Sequence, residues 1–234
     1  MSPHSLPPFE PFGAAHLGAL VLTGVTGAGL AALVRTRPRA GSLVRVALFA
    51  GISLLLAFEL GIAAREGWLT WQMLLPLHLC DAAMVLALVS LLWPRRGPVE
   101  ILYFWAVAGS GLAMLTPDLP WGFPRWEFVV FFGLHGLVLV AAVVLVFGLG
   151  LRPRRGSPGR AFLATLALAA VAGTVDLLLG VNFMFLRGKP STPTLLDHMG
   201  PWPVYIVVAA AVAFALFHLL ALPFRRDWRT AERG

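Results

Sequence analysis

One cysteine is all this chain has. An internal disulfide is therefore excluded, and Cys80 is a free thiol in any compartment. Charge is scarce as well. Only 12% of the 234 residues are charged, against 59% hydrophobic, at a mean hydropathy of +0.83. A soluble domain of this length has no way to hide so much apolar surface, so the soluble class drops out. The first apolar segment has no basic stretch ahead of it and no small-residue cleavage site behind it, so a cleavable signal peptide is not expected. Gly-x-Ser-x-Gly, His-Glu-x-x-His and Cys-x-x-Cys are all missing, which removes motif support for hydrolase-fold and zinc chemistry. No metal and no cofactor is expected. Internal repeats and soluble-domain stretches are absent too, leaving one transmembrane domain over residues 1–234.

What is present is apolar length. Residues 1–13 hold four prolines and read as an irregular lead-in. Segments at about 14–34, 43–64, 73–93, 98–116, 127–150, 160–180 and 203–222 then approach the ~20 residues that cross a bilayer as a helix. The expected fold is all-α, a seven-helix polytopic membrane bundle with a basic tail at 223–234. Small residues at Gly109-Ser110-Gly111 read as a helix-packing site.

The arginines suggest an orientation. Arg35, Arg37, Arg39 and Arg45, then Arg95 and Arg96, then Arg152, Arg154, Arg155 and Arg160, and finally Arg225, Arg226, Arg229 and Arg233 fall on one side of a seven-span chain. They are fourteen of the eighteen basic residues. The positive-inside rule puts that side, with the C-terminus, in the cytoplasm and the N-terminus outside. The setting expected is a bacterial cytoplasmic (inner) membrane. The net charge of +7 is then topology plus contact with anionic lipid headgroups, and calls for no nucleic acid. Trp68, Trp71, Trp121, Trp126 and Trp202 fall at the outer interface, where indoles settle. The long loop from Asn182 to Tyr205 reads equally as a lid or a connector.

Polar groups at membrane depth are expensive and therefore functional suspects. They gather in the outer half: His16, Glu59, His78, Cys80, Asp81, His135, Asp176 and Asn182, with only His218 in the inner half. At 1.5 Å per residue, Cys80 and His135 both come out ~12 Å below the outer surface. If residues 73–93 are one helix, His78 and Asp81 share one face and Pro76 and Cys80 another, with a kink at Pro76. Cys80 then needs a histidine from another helix, and His135 has the matching depth. A thiol beside an imidazole supports acyl transfer through a thioester. Other readings stand beside it. A buried cysteine also serves as a small hydrophobe. His135 is equally a residue bonded to a neighbouring helix, and Glu59 and Asp176 can simply tie helices together. Two histidines at one depth, such as His16 and His135, would also suit haem. Arg187 and Lys189 stand where a phosphate headgroup would be held, or where long side chains snorkel.

Pro76-Leu77-His78-Leu79-Cys80-Asp81, Thr116-Pro117-Asp118, His135-Gly136, Asn182-Phe183-Met184-Phe185-Leu186 with Lys189-Pro190, and Gly200-Pro201-Trp202-Pro203 together resemble the YwaF-type bacterial integral membrane family. That family is similar to a eukaryotic transmembrane cysteine acyltransferase of ether phospholipids, and more distantly to androgen-induced-type hydrolases of fatty-acid esters. The resemblance implies Cys80 as nucleophile and His135 as its catalytic partner. The hydrolase branch uses threonine, so a cysteine points to the acyltransferase side. The expectation is a lipid acyltransferase or lipid-ester hydrolase with membrane lipids as substrate. His78, Asp81, Glu59, Asp176, Asn182, Arg187 and Lys189 would shape the substrate pocket. A small-solute transporter or receptor using the same pocket, and a structural membrane protein without chemistry, are the competing readings.

Overall fold

Proline and glycine mark nearly every place where this chain stops being helical. The computed structural model describes residues 7–190, 194–225 and 228. Among them are seven helices long and apolar enough to cross a membrane. They are α1 Ala14–Thr36, α2 Ala40–Glu66, the span Trp71–Leu92 that contains α3 Leu79–Leu92, α4 Arg96–Leu115, α5 Trp126–Gly148, α6 Ser157–Leu179 and the span Val204–Phe224 that contains α7 Val204–Leu220. Pro38 and Pro94 follow the ends of α1 and α3, consistent with the bias of a pre-proline residue away from helix. Gly67 at φ 78° and Gly180 at φ 70° close α2 and α6 in the left-handed conformation that costs glycine nothing. The only extended pairing among the described residues is an isolated bridge between Pro8 and Trp121.

All seven expected segments agree with these spans to within a few residues, but the third is not one continuous helix. Trp71–Leu74 forms a separate 3-10 turn, Leu75 is extended at φ −99° and ψ 117°, and α3 begins only after His78, at φ −81° and ψ 150°. Pro76 does not kink a helix; it ends one turn and delays the next, because it drives Leu75 out of the helical region and offers no N–H. The shared faces expected for His78 with Asp81, and for Pro76 with Cys80, therefore do not exist. The sixth helix is closed by Gly180, two residues ahead of Asn182. Arg226, Arg229, Arg233 and the loop residues Ser191, Thr192 and Pro193 lie outside the described residues.

Helices α4 and α5 form the inside of the bundle: 61% of the apolar window of α5 is buried, against 11% for α6. The outward residues are apolar as well; Leu177 and Leu178 are 79% and 77% exposed. A surface of that kind belongs in hydrocarbon, where helices associate by close packing rather than by water exclusion. Both inner helices contain a π-helical stretch, Ala106–Ser110 in α4 and Val144–Gly148 in α5. A Cβ on Gly109 would lie 3.4 Å from the Leu79 side chain, so the π turn of α4 seats the first residue of α3. Gly148 performs the same service for α1: its missing Cβ would stand 3.2 Å from Val34.

At the end of the bundle that holds the arginine loops, a buried carboxylate gathers the loops together, although the buried hydroxyls of Ser90 and Ser157 there have no partner among the described residues. Glu100, 1% exposed, accepts from the backbone N–H of Arg154 at 2.9 Å, from Arg154 Nε at 2.8 Å and Nη2 at 3.2 Å, and from Arg160 Nη2 at 2.8 Å. The carboxylate in turn holds the Arg154 guanidinium above its ordinary range. Arg45 donates to the last carbonyls of α3, Leu91 at 2.7 Å and Leu92 at 3.0 Å, where a cation also suits the helix dipole. Trp228 Nε1 reaches Pro153 O at 2.8 Å.

Candidate functional site

At the opposite end, the break before α3 creates the site. Because the chain leaves the helical path between Leu75 and His78, with a tight turn at Pro76 closed by Leu77 N–H to Leu75 O at 2.8 Å, the His78 side chain reaches across to the loop after α6. There its Nδ1 accepts from the Met184 N–H at 3.3 Å, and its ring lies 5.3 Å from Phe183 and 5.8 Å from Phe185. An accepting Nδ1 carries no proton, so the neutral ring has its proton on Nε2. Asp176, in the last turn of α6 and wholly buried, accepts from the Phe183 N–H through Oδ1 at 2.7 Å. Its Oδ2 is buried without a hydrogen-bond partner, as is Gln72 Oε1. Orphans of this kind are rare in native proteins and ask for an explanation.

The turn between these two anchors is strained. Met184 at φ 52° and Phe185 at φ 58° occupy the left-handed region without being glycine, which costs on the order of 1 kcal/mol each. Bonds from every side hold it. The Tyr205 hydroxyl donates to Phe185 O, and Trp202 Nε1 donates to Leu186 O at 3.0 Å. Asn182 accepts from the Arg187 N–H at 2.9 Å and donates to Gly188 O at 2.8 Å. Arg187 Nη1 donates to Asp176 O at 3.1 Å and to Val181 O at 3.3 Å. Lys189 stands 3.7 Å from Asp197 and 5.5 Å over the Tyr205 ring. His78, Asp176, Asn182, Arg187 and Lys189 thus converge on one loop. Arg187 uses part of its fork on carbonyls of that loop, and Lys189 has an acidic neighbour already.

Cys80 is the second residue of α3, partly exposed, and has no hydrogen-bond partner among the described residues. Asp81 follows in the first turn, near the backbone N–H of His78 and close enough to Glu59 of α2 for their charges to interact. An acidic residue at the third helical position is the natural companion of exposed first-turn N–H groups. His135 of α5 donates from Nδ1 to Phe131 O at 2.8 Å, against a Phe131 ring 4.3 Å away. A carbonyl can only accept, so the proton sits on Nδ1 and Nε2 is the basic nitrogen. No hydrogen bond joins Cys80 to His135 among the described residues. His16 has both ring nitrogens engaged, with Phe12 N at 2.9 Å and Met114 O at 2.8 Å, and so ties the start of α1 to the end of α4. That leaves it no lone pair for a haem iron. His218 is exposed and bonded only to Phe214 O of its own helix.

A family model described as the TMEM164 family matches residues 11–221. The chain belongs to the TMEM164 family. A relative from Treponema pallidum (strain Nichols), itself described only as an uncharacterized protein, is 34% identical over 160 residues. That alignment covers 67% of this chain and 64% of the relative, so the chain spans just under two thirds of that protein's length. No solved structure matches.

In this TMEM164-family chain the residues overlooked by sequence reasoning are Tyr205, Gln72 and Glu100. Tyr205 is one of only two tyrosines, and a hydroxyl at the membrane end of an apolar helix is a signal that could have found it. Glu100 sits four residues after Arg96, where it reads as a solvated neighbour rather than as a buried acceptor for a loop fifty-four residues away.

Proposed function

We propose that the chain is a membrane-embedded lipid acyltransferase or lipid-ester hydrolase in which Cys80 is the nucleophile and His135 the general base. The observation that carries the reading is the state of His135. With Nδ1 committed to Phe131 O, the basic lone pair is on Nε2, the form a base must have before it can take a thiol proton. In the first step the Cys80 proton passes to Nε2, and the sulfur bonds to the ester carbonyl carbon. As the carbon–oxygen bond breaks, the leaving alkoxide takes the proton back from His135, releasing a lysolipid alcohol. The thioester then passes its acyl group to an acceptor hydroxyl, or to water in a hydrolase. Support also comes from Leu79, the residue before Cys80, which packs against the π turn of α4, a helix irregularity that recurs at functional sites. The lack of a competing hydrogen-bond partner for Cys80 points the same way.

In this reading the N-terminus is outside and the arginine-rich end faces cytoplasmic anionic headgroups. Glu59 and Asp81 shape the approach to the thiol, and the 182–188 loop with His78, Asp176, Arg187 and Lys189 forms the headgroup side. The test is turnover of a phospholipid by purified protein in nanodiscs, with release of lysolipid read by mass spectrometry. Cys80→Ala and His135→Ala should each reduce release to background. Turnover that survives both removes the reading, and so does a wild type without turnover.

A second reading has its own observation. A broken helix end beside a buried, unpartnered carboxylate oxygen is also how membrane carriers form solute sites. A carrier would show uptake that survives Cys80→Ala and fails with Asp176→Asn or Glu59→Gln.

A further inference from the structure

One cavity among the described residues is lined by neither Cys80 nor His135. It is a groove of about 490 Å³ between α1 and α5, running from Ala15 to Thr26 on one helix and from Phe128 to Val140 on the other. None of its lining residues is charged. The Thr23 hydroxyl, its nearest polar group to the floor, is bonded back to Ala19 O at 2.9 Å and makes no demand on a ligand. Toward the arginine-rich end small residues bring the two helices close, so that a Cβ on Gly27 of α1 would stand 3.6 Å from the Val143 side chain and one on Gly148 of α5 3.3 Å from Ala31. Toward the other end the contact runs through rings, His16 against Phe132 with centroids 5.4 Å apart, while His16 also fastens the start of α1 to the end of α4. Ala15, Ala19 and Gly133 line the gap with minimal side chains.

We propose that this groove binds one acyl chain of a membrane phospholipid. Its length is the first argument. From Ala15 to Thr26 α1 rises ~16 Å at 1.5 Å per residue, and half of a ~30 Å hydrocarbon core is ~15 Å. The groove is therefore one leaflet deep. Its position is the second. Both helices begin at the same end, so the groove opens at headgroup level and closes near the bilayer middle. Its mouth is framed by Phe123 and by the lead-in, whose Phe9 N–H and Pro7 carbonyl bond to Pro120 and Gly122. Arg125, paired with Glu127, stands beside that mouth. Continuity is the third. The groove merges with the outward apolar face of α1, where Leu22 is 68% exposed, so the medium that meets that face is also what fills the gap. A phospholipid rather than a protein fits best, since a flexible acyl chain follows an uncharged groove that opens sideways onto the lipid-facing surface of α1. The proposal stands independently of the Cys80 chemistry.

The test uses the full chain in nanodiscs of phosphatidylcholine carrying a diazirine on one acyl chain. After irradiation, peptide mapping should find intact-phospholipid adducts on Ala15–Thr26 and Phe128–Val140 at about ten times the level on the exposed Leu177–Leu179 of α6, a preference worth ~1.4 kcal/mol. Ala19→Trp, which fills the slot, should remove the excess. Val129→Trp should do so independently if the first variant fails to fold, and the wild-type ratio needs no variant at all. Equal labelling of the groove and of α6 overturns the proposal. So does groove labelling indifferent to both tryptophans, or a dimer by native mass spectrometry whose second copy covers α1 and α5.

Discussion

The two ends of this bundle treat buried carboxylates in opposite ways. At the arginine-rich end, Glu100 has both oxygens occupied by four donors from Arg154 and Arg160. At the other end, Asp176 is just as buried, yet one oxygen has no partner, and the loop it anchors holds two residues in left-handed conformations. A fully satisfied buried network fixes structure. A half-satisfied one costs stability, and such cost concentrates where a protein does something other than fold. One carboxylate is a lock and the other, which looks the same as a charge in an apolar chain, keeps an oxygen unpaired among the described residues.

The largest effect should come from breaking the lock. Glu100→Ala removes the acceptor for all four donors and is expected to lower stability by on the order of 2–3 kcal/mol, read as thermal melting in nanodiscs. Lipid turnover per folded molecule should stay the same. A melting point that does not move would dissolve the contrast between the ends. Next in size is Asp176→Ala, which frees the Phe183 N–H. Hydrogen exchange at the amides of 183–187 should rise about tenfold, while those at 154–160 keep their protection. A global rise would show Asp176 to be a second lock. His78→Ala removes only the acceptor for Met184, at 3.3 Å a long bond, so a few-fold increase confined to the same loop is expected. The smallest effect has the opposite sign. Met184→Gly relieves the left-handed backbone and should stabilise the loop by about 0.5 kcal/mol; a destabilised variant would mean that the side chain, not the strain, governs that turn.

How much of this was legible in the chain depends on what each feature rests on. The spans were readable because apolar length and proline or glycine punctuation are local, and residues 14–36 or 157–179 need nothing else to be recognised. The start of α3 was misjudged because Pro76 was taken to bend a helix that it in fact postpones. The face geometry of His78 and Asp81 then inherited a helix that was absent. That His78, Asp176, Asn182, Arg187 and Lys189 belong together was foreshadowed by their common depth. That they meet on one turn was not, since His78 bonds a residue 106 positions on. Glu100 was hidden by its neighbours, as an acid among arginines at a helix start looks solvated. The groove had no sequence signal at all. It lies between α1 and α5, and a space between two helices belongs to no single segment.

Cys80 lies on the side of the comparison where stability is given up, and its chemistry is the central claim. The most direct measurement is the intact mass of the protein after incubation with a phospholipid and no acceptor. The account predicts one added acyl chain that maps to Cys80, is released by neutral hydroxylamine, and is absent from Cys80→Ala, whose melting point should differ from wild type by less than about 1 kcal/mol in stability. It also predicts that His135→Ala slows the gain of that mass. An unmodified wild type under conditions where the protein is folded, or an adduct that persists in Cys80→Ala, would contradict it.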